Sequence, residues 1–223
     1  MSDGALGVLW TAGLGLGFAA VALLHRAGLP RTYARDLLHV GAGVWIAGWP
    51  WWKGPHVASL VAWGTFCVVA GVPFLAPRLR WIGKAHDSVA GGGEQWSGIV
   101  AYAGSFAVLT TLALAFHQVA PAGAAAAALC VGDGLGGLVG RRFGRFRYQL
   151  PWSKSKTWEG TAAVAVFSAL GIGLALRLLA RPAEWETIAV LGVIGAAAEA
   201  LAPRAWDNVT VPAAVFGAAL VLV

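Results

Sequence analysis

Gly132-Asp-Gly134, then Gly140-Arg-Arg-Phe-Gly144, then Lys154-Ser-Lys-Thr-Trp-Glu-Gly160 is the stretch on which the reading of this chain turns. It sets a carboxylate in an apolar helix that runs into a cationic loop ending at the start of another helix. A charged Asp near the centre of a bilayer costs roughly 2.5–3.5 kcal/mol, so an acid in such a helix marks a functional site. The cations beside it, Arg141, Arg142, Arg145, Arg147, Lys154 and Lys156, call for a polyanion, and a nucleotide with its magnesium ion fits that requirement.

The surrounding composition is that of a membrane protein. Of 223 residues, 58% are hydrophobic and 12% charged, about half the charge that a soluble domain carries. Mean hydropathy is +0.70. The net charge of +6 reports loop topology before it reports nucleic acid. The run after Met1-Ser-Asp3, without a basic leader, is expected to be a first transmembrane helix rather than a cleaved signal peptide. Cys67 and Cys130 are expected to be lone thiols.

Hydropathy predicts an all-α, polytopic integral membrane protein with about eight transmembrane helices, at 4–24, 37–52, 57–75, 98–116, 119–139, 159–180, 186–202 and 209–223. No repeat or soluble domain interrupts it, so residues 1–223 form one membrane domain. Of the 16 Lys and Arg, all but Lys53, Arg177 and Arg181 fall in alternate connections, which the positive-inside rule makes cytoplasmic. Trp49, Trp51, Trp52, Trp81, Trp96, Trp152, Trp158, Trp185 and Trp206 lie near span ends and are expected to form the aromatic belts.

Four polar clusters stand out against this background, all on the cytoplasmic side. The first is Asp133. Gly132, Gly136 and Gly140 recur every fourth residue and line one helix face, permitting close helix approach. Gly132-Asp-Gly134-Leu-Gly-Gly137 matches a dinucleotide fingerprint literally, but it follows a membrane span where that fingerprint needs a strand. No Walker A sequence is present. The second cluster is the loop 141–156. Gly144 allows close backbone approach, Thr157 is a candidate N-cap, and a helix N-terminus flanked by Lys154 and Lys156 suits phosphate. Glu159 in the first turn favours the helix dipole, or holds a metal or a proton. Arg35 and His39, four apart on one helix face, are the third. Glu199 with Asp207 and Asn208 is the fourth, bracketed by Pro203 and Pro212, which are expected to break the helices. Gly91-Gly-Gly-Glu94 is expected to be a cytoplasmic turn, with Glu94 a further site candidate.

These residues resemble the phytol kinase and dolichol kinase family. The resemblance rests on Arg35-Asp-Leu-Leu-His39, Gly132-Asp-Gly134, Gly140-Arg-Arg-Phe-Gly144, Leu150-Pro151, Lys154-Ser-Lys-Thr-Trp-Glu-Gly160 and Glu199-Ala-Leu-Ala-Pro-Arg-Ala-Trp-Asp-Asn-Val-Thr-Val-Pro212, spanning about 31 to 215. It implies an integral membrane kinase that transfers the γ-phosphate of a nucleotide, usually CTP, to the hydroxyl of an isoprenoid alcohol of the phytol, farnesol or polyprenol type. Mg²⁺ or Mn²⁺ is implied as the cofactor. The related CDP-diacylglycerol synthases, CTP:phosphatidate cytidylyltransferases, also use CTP, but their late His-Gly-Gly and Asp-Arg-x-x-x-Asp pattern is lacking here. A transporter with an intramembrane acid is a further alternative, and the internal symmetry it calls for is not apparent.

On this reading Asp133, Lys156, Glu159 and His39 are the catalytic candidates. Arg35, Arg141, Gly144, Arg145, Lys154, Lys156, Gly160 and Asn208 are the nucleotide-binding ones. Asp133, Glu159 and Asp207 are the metal candidates, with Glu94 and Glu199 as other site residues. The expected partners are the nucleotide, the lipid alcohol and membrane lipids, not nucleic acid, and a homo-oligomer is compatible with the reading. The expected location is multi-pass in a membrane, the plasma membrane if the cell is prokaryotic, with the site on the cytoplasmic side.

Overall fold

The computed structural model describes residues 1–78, 93–203 and 206–223, the side chains of 93–95 excepted. Among them the chain is almost wholly helical. Helix α1 (Asp3–Arg26) is followed by α2 (Arg31–Gly41), α3 (Val44–Ala47), a 3₁₀ turn (Trp49–Trp51) and α4 (Pro55–Leu75). Helix α5 (Gly93–Leu114) precedes a continuous rod made of α6 (Val119–Ala127), a π-helical segment (Ala128–Asp133) and α7 (Gly134–Phe143). A two-residue hairpin, β1 (Arg147–Tyr148) against β2 (Lys156–Thr157), leads to α8 (Trp158–Leu178), α9 (Trp185–Leu201) and α10 (Asp207–Leu222).

Five of these helices are long and apolar enough to cross a membrane: α1, α4, α5, the rod Val119–Phe143 and α8. The expected count of eight is not confirmed. The segment 37–52 is not one span: α2 stops at Gly41, and the chain turns through α3 and the 3₁₀ turn. Gly41, Gly43, Gly48 and Pro50 punctuate that stretch, and such residues end helices however apolar their neighbours are. Helices α9 and α10 have 17 and 16 residues.

The rod is the hub. Ala122 and the run Ala124 to Cys130 are essentially without exposure, because a stretch of alanine lets neighbouring helices close in on every side. Its lower half packs on α8 through the predicted glycine face. A Cβ on Gly136 would stand 2.9 Å from the Val164 backbone, and one on Gly140 would stand 3.2 Å from Gly160 Cα. Both thiols are free, Cys67 exposed and Cys130 buried. The tryptophan belt needs correction. Trp51, Trp152, Trp158, Trp185 and Trp206 are exposed, but Trp49, Trp52 and Trp96 are buried within the protein, and Trp81 lies outside the described residues.

Two prolines sit inside helices, Pro73 in α4 and Pro212 in α10, so Pro212 does not break its helix as expected. A proline frees the carbonyl four residues earlier, and α5 caps both orphans. Trp96 Nε1–H donates to the Val69 carbonyl at 3.1 Å, and Ser105 Oγ–H donates to the Asn208 carbonyl at 2.6 Å.

Candidate active site

The polar end of the bundle is assembled by four segments. The π-helical segment shifts the hydrogen-bond ladder from i+4 to i+5, which leaves carbonyls short of partners, and such segments recur at functional sites. Here the Leu129 carbonyl accepts from His39 Nε2 at 2.8 Å. The same nitrogen lies 3.5 Å from Asp133 Oδ2. Tyr102 holds this helix end from the other side. Its hydroxyl donates to the His39 carbonyl at 2.6 Å, and the two rings meet at a tilt of 48° with centroids 4.2 Å apart.

Thr157 is the N-cap of α8, its Oγ1 accepting the Gly160 N–H at 3.1 Å. That cap fixes the hairpin over the end of α7. Trp152 Nε1–H donates to the Leu201 carbonyl at 3.0 Å, and Lys156 Nζ pairs with Glu199 Oε1 at 2.6 Å while also donating to the Glu199 carbonyl. Both partners of that ion pair are largely out of solvent, at 13% and 14% side-chain exposure. A second pair, Arg141 with Asp36, joins α7 to α2. Burial pushes the Asp36 carboxyl above its usual range, against the pull of Arg141 and Arg35.

A cavity of about 960 Å³ opens between these elements. Its polar end is lined by Arg35, His39, Asp133, Arg141, Gly144, Lys154, Lys156, Gly160, Glu199, Asp207 and Asn208, so the four sequence clusters meet in one place. Arg35 and Lys154 make no ion pair among the described residues, which leaves their charge available to an anion. Gly144 lines the cavity, yet a Cβ there would stand 2.6 Å from Thr157 Oγ1, so close packing on the hairpin already requires glycine.

Two candidates lie apart. Glu159 turns away and accepts the backbone N–H groups of Arg145 at 3.0 Å and Phe146 at 3.2 Å. With Arg145 it faces a separate depression of about 480 Å³ bordered by Arg142, Phe143 and Phe146. Gly93 and Glu94 open α5 rather than forming a turn, and the Glu94 side chain lies outside the described residues. Arg147, which the sequence marked only as one of the loop cations, and Asp36, which it did not single out, also line the cavity. Asp36 carried a signal in its position beside Arg35 on an amphipathic helix.

Among the described residues, no three His, Cys, Asp or Glu side chains cluster as a ready metal cage. Asp133, Glu199 and Asp207 do offer carboxylate oxygens along one cavity. This donor set fits Mg²⁺, which is held by one or two carboxylates and takes its remaining ligands from water and phosphate.

No family model and no solved structure matches the chain. It is 33% identical over 211 residues to a phytol kinase of Synechocystis sp., an alignment covering 89% of this chain and 82% of that protein. It is 31% identical over 177 residues to a probable chloroplastic phytol kinase of Triticum aestivum, covering 74% of this chain and 56% of the wheat protein. A cavity that brings carboxylates and cations together, in a chain that aligns with such a relative over most of both lengths, settles the affiliation: the chain belongs to the phytol kinase family.

Proposed function

We propose that the protein is a membrane-embedded lipid-alcohol kinase that transfers the γ-phosphate of CTP to the hydroxyl of an isoprenoid alcohol at the cytoplasmic face of its membrane. One observation carries the reading. One cavity has carboxylates and cations at one end and apolar helix faces at the other, which is what a reaction between a nucleotide and a lipid hydroxyl requires.

Phosphoryl transfer asks the protein chiefly for positioning and charge neutralisation. Arg35 and Lys154 attract the phosphates, and Lys156 reaches them by exchanging its contact with Glu199. The alcohol oxygen attacks the γ-phosphorus, the bond from that phosphorus to the β-phosphate oxygen breaks, and CDP leaves. The proton of the hydroxyl passes to the Asp133 carboxylate. His39, its Nε2–H held by the Leu129 carbonyl, stands 3.5 Å from the Asp133 carboxylate and fills the space beside it. Asp207 and Asn208 serve the metal or sugar side. A bound Mg²⁺ would neutralise charge on the phosphates, held by Asp133 or Asp207.

The deciding experiment gives purified protein a panel of lipid alcohols with CTP or ATP labelled at the γ-phosphate. Label appearing in the lipid supports the kinase. Release of pyrophosphate instead would identify cytidylyl transfer, and label from ATP alone would remove CTP from the proposal.

A further inference from the structure

Beyond the carboxylates the cavity continues as an apolar arm lined by Leu14, Gly17 and Phe18 of α1, Ala62 and Val69 of α4, and Phe106 of α5. Two contacts fix the level of α2 against α1. Arg31 Nε donates to His25 Nε2 at 3.3 Å, and a Cβ on Gly17 would stand 3.9 Å from Leu38 Cδ2. The two helices therefore run antiparallel, with His39 and the neighbouring Asp133 level with about Gly17. The far end is closed by Trp10 and Trp45, packed edge to face with centroids 4.7 Å apart. Trp45 is held by Nε1–H donation to Thr110 Oγ1 at 2.9 Å, and Trp10 lies against Gly48, where a Cβ would stand 2.9 Å from its Cε2.

The arm is short. Seven residues of helix separate Gly17 from Trp10, about 10 Å. An extended chain advances ~1.2 Å per bond, as an extended polypeptide does, so the arm takes about eight bonds, the main chain of two isoprene units. It is also open on one side. Near the far end α1 and α4 touch, where a Cβ on Gly7 would stand 3.2 Å from Val61 Cγ2. Gly13, nearly two turns (about 9 Å) nearer the carboxylates, lines the cavity and is exposed, and a Cβ there would meet nothing within 4 Å.

We infer that the protein grips only the first two isoprene units of its alcohol, between Asp133 and the Trp10–Trp45 floor, and that the rest of the tail leaves sideways past Gly13 of α1 into the bilayer. The inference rests on the kinase reading above and adds to it which part of the substrate is recognised. Apolar burial stabilises in proportion to the carbons enclosed, so selectivity ends where enclosure ends.

The test compares kcat/KM for alcohols of one, two, three and four isoprene units and for a long polyprenol. The expected profile rises at least tenfold from one unit to two and changes less than about threefold beyond. A continued rise, or a sharp optimum at a longer chain, would overturn the inference. Trp10→Ala should move the break toward three units, and Gly13→Leu, which fills the opening, should move it below two. If neither moves it, the floor does not set the length. Binding is read without turnover by labelling Gly13→Cys with a lipid-soluble maleimide, with Cys67 and Cys130 changed to Ala. A two-unit alcohol should slow labelling several-fold. Protection without phosphorylation would keep the slot and sink the kinase. Phosphorylation with neither protection nor a length break would keep the kinase and sink the slot.

Discussion

Lys156 serves two partners in this account, and a double-mutant cycle separates them. In the structure its amine is 2.6 Å from Glu199 Oε1, and both side chains are largely out of solvent. Lys156→Gln leaves the Glu199 carboxylate buried and unpaired. Breaking one side of such a pair costs ~3–5 kcal/mol, and a cavity that admits water puts this case at the low end, about 3 kcal/mol. Glu199→Gln is milder, about 1.5–3 kcal/mol, because the lysine keeps the Glu199 carbonyl. The double variant removes both charges and should return to within about 1 kcal/mol of wild type. Catalysis should follow a different pattern. If Lys156 contacts the phosphates, its loss costs about 1.5–3 kcal/mol in the transition state, on the order of ten- to hundredfold in kcat/KM, in the single and the double variant alike. Glu199→Gln alone frees the lysine and should not weaken nucleotide binding. Urea unfolding in detergent and nucleotide titration of turnover supply the two readouts. A double variant that regains both stability and wild-type turnover would refute the phosphate contact and leave Lys156 as a strut between hairpin and α9.

Asp133→Asn should lower turnover by about 10²–10⁴-fold, the range for a positioned general base, with membrane insertion intact because a neutral amide is cheaper in lipid; expression level and kcat check it. Ser105→Ala should cost about 1–3 kcal/mol by orphaning the Asn208 carbonyl. The loss should shrink in a Pro212→Ala background, where a restored backbone N–H at 212 can take that carbonyl; equal losses in both backgrounds would dismiss the pairing. Single cysteines placed in 141–156 should resist an impermeant thiol reagent applied outside intact cells, and ones in 53–56 should react; the opposite pattern would invert the orientation.

The polar clusters were legible because each is out of place. Asp133 in an apolar helix, lysines before an N-cap threonine, and an acid followed by Asp-Asn after a short span all announce themselves against a hydrocarbon background. The glycines at 132, 136 and 140 were legible through spacing alone, and they meet α8 where that spacing predicts. Pairings across the chain were not. Arg141 and Asp36 are 105 residues apart, and nothing local to either names the other. Glu159 had the chemistry of a site residue, but the backbone N–H groups of Arg145 and Phe146, free after α7 ends, lie nearer than the cavity and take its carboxylate. Local sequence gives the charge and not the direction of the side chain.

Hydropathy failed for a related reason at 37–52. It measures how well a segment tolerates lipid, whereas continuity of a helix depends on its hydrogen-bond ladder, which glycine and proline interrupt without changing apolarity. In lipid every interrupted carbonyl has to find another donor. Three such carbonyls, at Val69, Leu129 and Asn208, are capped by Trp96, His39 and Ser105, and a fourth, at the end of α2, by Tyr102. Three of these four donors stand on α5, and the fourth, His39, itself packs against the Tyr102 ring. Helix α5 contributes no acid or cation to the described part of the cavity, yet it fixes the level of His39 and, through Asn208, of the start of α10. The positions of Asp133 and Asp207 relative to one another therefore depend on a helix whose own residues would attract no notice in a search for catalytic side chains.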